Sequence, residues 1–105
     1  MMGKKLEEEL QWILSLGDNW DGEGAIACSD GMVDRVSKFM LDFQQRCRER
    51  HQLEIGEPTA KPGPDGGIDL RWKTDKYDIL LYVPSLGSPR YYGRDPHGGE
   101  LKGSL

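Results

Sequence analysis

Four side chains in this sequence carry soft-ligand or nucleophilic chemistry: Cys28, Cys47, His51 and His97. Cys47 and His51 stand four residues apart, a spacing that places two ligands on one face of a helix. A zinc site needs a second close pair, and none follows, so the expectation is a buried thiol beside a helix-end histidine and no metal. Asp18-Asn19-Trp20-Asp21-Gly22 has the acids of a calcium loop. With Gly22 in the sixth position, however, Gly17 falls at the first and Cys28 at the twelfth, where an EF-hand needs Asp and Glu. No Gly-x-Ser-x-Gly elbow is present, and Gly63 to Gly67 lacks the Lys-Ser/Thr of a phosphate loop. His97 follows Arg90, Tyr91, Tyr92 and Arg94, a set of types suited to acid–base work on a phosphodiester, although an exposed turn histidine is the simpler reading. The expectation is a protein that is not an enzyme and has no catalytic residues and no cofactor. The Arg90–His97 region is the alternative, as a small nucleic-acid-binding or phosphodiester-cleaving domain.

Charge is distributed more tellingly than its total of −4. From Leu6 to Asp34 there is no Lys, Arg or His but there are eight acids; from Arg35 onward, 12 Lys and Arg face 10 acids. Such asymmetry marks either a solvated face or a surface for a basic partner. Glu8, Asp18, Asp21, Glu23, Asp30 and Asp34 are the candidate binding acids. Carboxylates arranged this way can stand in for phosphates in a nucleic-acid groove. A second candidate patch is aromatic. Leu80 and Tyr82 are apolar positions on the side of their strand that should face water, and of the neighbours Tyr91 and Tyr92 one must face outward. Coverage of this patch by the C-terminal tail is the competing expectation. Arg71, Lys73, Arg90 and Arg94 interleave with these tyrosines as in sheets that stack bases. Asp69, Asp78 and the negative total charge count against direct nucleic-acid binding. The expected partner is therefore a larger protein or nucleoprotein complex with a basic surface, or a second copy of the chain in a homodimer.

These side chains must be positioned by a small fold, since 105 residues support one modest core. Leu6, Leu10, Ile13 and Leu14 recur at helical spacing and predict a helix over 4–16, stopped by Gly17. Val33, Val36, Met40, Phe43 and Cys47 form one apolar stripe and predict a second helix over 30–51, capped by Ser29 or Asp30. Between them Trp20 is expected to plug into the core and pin its loop. Beyond Glu54 the pattern alternates. Pro58, Pro62 and Pro64 restrict any strand there to an edge, and Pro64-Asp65-Gly66-Gly67 is a turn. Ile68–Trp72, Tyr77–Val83 and Arg90–Arg94 read as strands, with a last one near Glu100–Gly103. The predicted architecture is a single α+β domain over 1–105: two N-terminal helices on one face of a three- to four-stranded antiparallel meander. No apolar run is long enough to span a membrane, and the acidic start is unlike a secretory signal. Two cysteines are too few for a disulfide framework, so a cytoplasmic location is expected.

Two segments together, Trp20-Asp21-Gly22-Glu23-Gly24-Ala25 and Pro64-Asp65-Gly66-Gly67-Ile68 with Leu70 and Trp72, carry a resemblance. They resemble a group of small uncharacterised proteins of bacteria and their phages or mobile elements. That group shares a W-D-G-x-G-A loop and a P-x-x-D-G-G-I-x-L-x-W hairpin. The resemblance spans roughly Leu10 to Tyr92 and implies one compact fold of bacterial or phage origin; it transfers no catalytic residues. Taken with the charge pattern, it leads to the expectation of a non-enzymatic inhibitory protein that occludes a basic surface on a larger complex. An anti-defence, anti-CRISPR-like inhibitor fits that description, and an antitoxin or immunity protein is the alternative within the same class.

Overall fold

Apolar side chains at helical spacing, then apolar side chains at alternate positions, are buried most completely when the helices lie across one face of a sheet. The computed structural model, which describes residues 3–105, has this arrangement. Helix α1 (Lys4–Ser15) and helix α2 (Met32–His51) precede strands β1 (Thr59–Pro62), β2 (Ile68–Lys73), β3 (Asp78–Val83), β4 (Arg90–Arg94) and β5 (Glu100–Ser104). The strands pair in chain order as one antiparallel sheet. There are five strands instead of the three or four expected. The extra one is β1, whose Pro62 is tolerated because β1 is an edge. Its exposed edge is partly satisfied from outside the sheet, as the Ala60 amide donates to the Glu9 carboxylate of α1 (3.2 Å).

The core lies between the helices and the inner face of the sheet. Leu6, Leu10 and Ile13 of α1 meet Met32, Val36, Met40, Phe43 and Cys47 of α2, with Ile68, Leu70, Trp72, Ile79, Leu81, Val83, Tyr91 and Leu101 beneath them. Phe43 is central, its ring 5.4 Å from that of Trp72 and 4.9 Å from that of Tyr91. Trp72 satisfies its indole N–H on the Gly56 carbonyl (2.6 Å), which fixes the connector leading to β1. Arg35 donates to the carbonyls of Pro84 (3.1 Å) and Gly87 (2.7 Å), tying the β3–β4 loop to α2.

Four local expectations are corrected. The second helix begins two residues later than predicted, with Gly31 before it and no side-chain cap. Met32 therefore takes the buried position at its start, and Val33 is only half-buried. Gly17 is not what ends α1; Leu16 leaves the helix in extended geometry (φ −77°, ψ 132°). Trp20 is half-buried and lies outside the core cluster. The loop has a different anchor: the Asn19 amide donates to the Ala25 carbonyl (2.6 Å), and the Ile26 amide donates to the Pro64 carbonyl (2.8 Å).

Candidate binding surfaces

The acidic candidates divide by what their carboxylates touch. Asp21 Oδ1 accepts the amides of Glu23 (2.8 Å) and Ala25 (3.1 Å), and Asp18 Oδ1 accepts that of Ala27 (2.9 Å). Both acids build the loop they sit in, as short carboxylates do when they substitute for a backbone acceptor. Glu8 on α1, Glu23 in the loop, Asp30 before α2 and Asp34 in its first turn are exposed. None of these four belongs to an ion pair among the described residues. Backbone geometry requires glycine in this loop and in the turn before β2. Gly22 and Gly24 adopt φ of 74° and 87°, and Gly66 adopts 89°. The chain just after the first segment also meets the second in space, where Ile26 bridges to Asp65.

The aromatic candidates separate along β4. Tyr92 is 60% exposed on the outer face, whereas Tyr91 is 9% exposed and packs on Phe43. Tyr91 is therefore a core residue and is withdrawn from the binding set. Strand alternation forces one of the pair inward, and only the partner strands decide which one. Tyr82 is half-buried on the outer face, and its hydroxyl donates to Asp65. That bond holds the Asp65 carboxyl below the usual carboxylate range, while burial and the same carboxylate push the Tyr82 phenol up. The C-terminal tail does not cover this face; it becomes β5 and extends the sheet.

Register assembles the rest of the outer face. One row runs Thr59, Arg71, Leu80, Tyr92, Lys102; the next runs Lys61, Asp69, Tyr82, Arg90, Ser104; the third runs Lys73, Asp78, Arg94, Glu100. Its strand positions hold six cations against three acids, and Asp65, reached by the Tyr82 hydroxyl, adds a fourth carboxylate from the turn before β2. Arg71 grips Asp78 with two hydrogen bonds (3.0 and 2.8 Å), which holds the Asp78 carboxyl low and the guanidinium firmly charged. Burial, then the nearby Asp65 carboxylate, raises Asp69. Lys61 and Lys102 were missed in the sequence because they lie on the outer strands, whose membership of the sheet depends on pairing. Two shallow depressions of about 600 and about 440 Å3 share Arg71 and Leu80 on this face.

The soft and nucleophilic residues do not converge. Cys47 is buried, with its thiol pushed up to about 11 by burial, and Cys28 is half-buried; both are free. His51 is exposed, and so is His97, in the β4–β5 turn. Arg90 and Arg94 stand at opposite ends of β4, about 14 Å apart at strand rise, so Arg90 and His97 do not share a site. Among the described residues no three His, Cys, Asp or Glu side chains gather where they could hold a metal ion. Compared with protein-family models, curated proteins and solved structures, the chain matches none. No described helix is long and apolar enough to cross a membrane.

Proposed function

We propose that this chain is a non-enzymatic binding protein that occludes a basic surface on a larger protein or nucleoprotein complex. The observation that carries the reading is the separation of charge by the fold. Outward strand positions hold a surplus of three positive charges, and since the whole chain carries −4, everything else carries −7. Much of that negative charge sits on α1, the loop after it and the start of α2. Glu8, Glu23, Asp30 and Asp34 are free to meet Lys and Arg of a partner, while Asp18 and Asp21 hold the loop between them in shape. Complementary fields of this kind raise encounter rates and select partners, and they weaken with salt. Inhibition by a phage or mobile element of a nucleic-acid-processing defence complex is the setting this chemistry suits.

The test is an affinity capture from bacterial lysate with the wild type and a Glu8→Lys/Asp30→Lys/Asp34→Lys variant, each quantified by mass spectrometry. A defined partner should be retained by the wild type at low salt, released near 0.5 M salt as the Debye length falls to about 4 Å, and lost in the variant. Retention of the same proteins by both forms would refute the acidic surface.

A further inference from the structure

The open face of the sheet differs in chemistry from the acidic side and has no covering element among the described residues. We propose that this face binds single-stranded nucleic acid, with phosphates against its strand-borne cations and a base stacked on Tyr92. Lys61, Lys73, Arg90, Arg94 and Lys102 are exposed there and belong to no ion pair among the described residues. Its acids interfere little. Asp78 is held by Arg71, Asp69 is partly buried, and the exposed Asp65 beside Tyr82 accepts that hydroxyl, which leaves Glu100 as the exposed acid on the strands outside a pair. Tyr92 sits in the central row between Leu80 and Lys102. Arg90 and Arg94 lie two residues away on either side along the same strand, about 7 Å by strand rise. A π-face with cations on both sides fits a base and its flanking phosphates. A duplex hides its base faces inside the stack, so this geometry selects single strands. The negative total charge, which argued against nucleic acid from composition, is concentrated away from the strand positions.

A second copy of the chain is the competing occupant. Sheet against sheet would set like surpluses of charge together, and sheet against the acidic side is a head-to-tail contact that does not close into a dimer. Both arguments favour nucleic acid.

Fluorescence anisotropy with fluorescein-labelled dT12 and rU12 tests the proposal. Binding is expected at 25 mM salt, with log K falling against log salt at a slope of about −2 to −3, as about three to four phosphate contacts would give. Tyr92→Ala should weaken it about tenfold without changing that slope, and Tyr92→Phe should restore it. Lys73→Glu/Arg94→Glu should weaken it more strongly and flatten the slope. Thermal melts, expected to match the wild type because these side chains are exposed, separate loss of binding from loss of fold. No anisotropy change at 25 mM salt would overturn the proposal, as would equal affinity for a 12-base-pair duplex or indifference to Tyr92→Ala. A homodimer by light scattering that dissociates in Tyr92→Ala, without oligonucleotide binding, would reassign the face to a second copy.

Discussion

Tyr82 and Asp65 show how one side chain links the turn to the sheet. Gly67 lies beneath the phenol, where a Cβ would fall 2.5 Å from the Tyr82 hydroxyl and 2.8 Å from the Val83 carbonyl. The turn must therefore have glycine there, and the hydroxyl closes over it to reach Asp65. Removing that hydroxyl in Tyr82→Phe should cost about 1 kcal/mol at pH 7, a value kept low because the carboxylate is largely exposed. Asp65 is depressed in the folded state, so its contribution is present above the ordinary value of 3.8 and is lost as pH falls through the lower, folded value. The difference between wild type and Tyr82→Phe in urea unfolding should therefore shrink below about pH 4. Asp69 has the opposite sign, because its folded value is raised and its charged form is disfavoured at neutral pH. Asp69→Asn should leave stability at pH 7 unchanged or higher by a few tenths of a kcal/mol, after discounting for its partial exposure.

Among the elements, β4 depends most on a single small residue. A Cβ on Gly93 would fall 2.7 Å from the Ile79 Cα and closer still to the Asp78 carbonyl, both of them backbone atoms that cannot move aside alone. Gly93→Ala should separate β3 from β4 and cost more than about 2 kcal/mol. Gly17 is the contrast. A Cβ there meets nothing within 4 Å, and Gly17→Ala should stay within about 0.5 kcal/mol of wild type in the same chemical denaturation series. Both outcomes reverse what punctuation in the sequence suggests, since Gly17 follows an apolar periodic run and Gly93 sits in an unremarkable Tyr-Gly-Arg stretch. The helices and the middle strands were legible because their apolar spacing is local: 6, 10 and 13, then 36, 40, 43 and 47, then 68, 70 and 72. The start of α2 was not, because Met32 and Val33 are both apolar and only the tertiary packing of the helix decides which one turns inward. Edge strand β1 was legible only as a restriction, since its prolines say where it cannot lie and not whether it pairs.

For the whole molecule, separated charge has a consequence that composition alone contradicts. A chain with pI near 5.1 should pass through a cation exchanger at pH 7. If the sheet face acts as a local cationic patch, the protein should instead be retained on heparin at low salt, and Lys73→Glu/Arg94→Glu should release it. Elution of wild type and variant in the same volume would show that the patch is too weak to act at a distance.

Periodicity and turn chemistry, readable from residues close in the chain, settled the element types and the α+β class, because apolar spacing and backbone preference are properties of neighbours. The acidic stretch from Leu6 to Asp34 was equally plain, being contiguous. Tertiary structure alone turned Tyr91 inward and Tyr92 outward, gave Asp18 and Asp21 their backbone partners, and brought Lys61 and Lys102 onto one face with Arg71 and Arg94. The tyrosines and the lysines depend on which strand lies beside which and in what register, since a strand's two faces exchange roles with a slip of one residue, whereas the bonds of Asp18 and Asp21 depend on how their own loop closes.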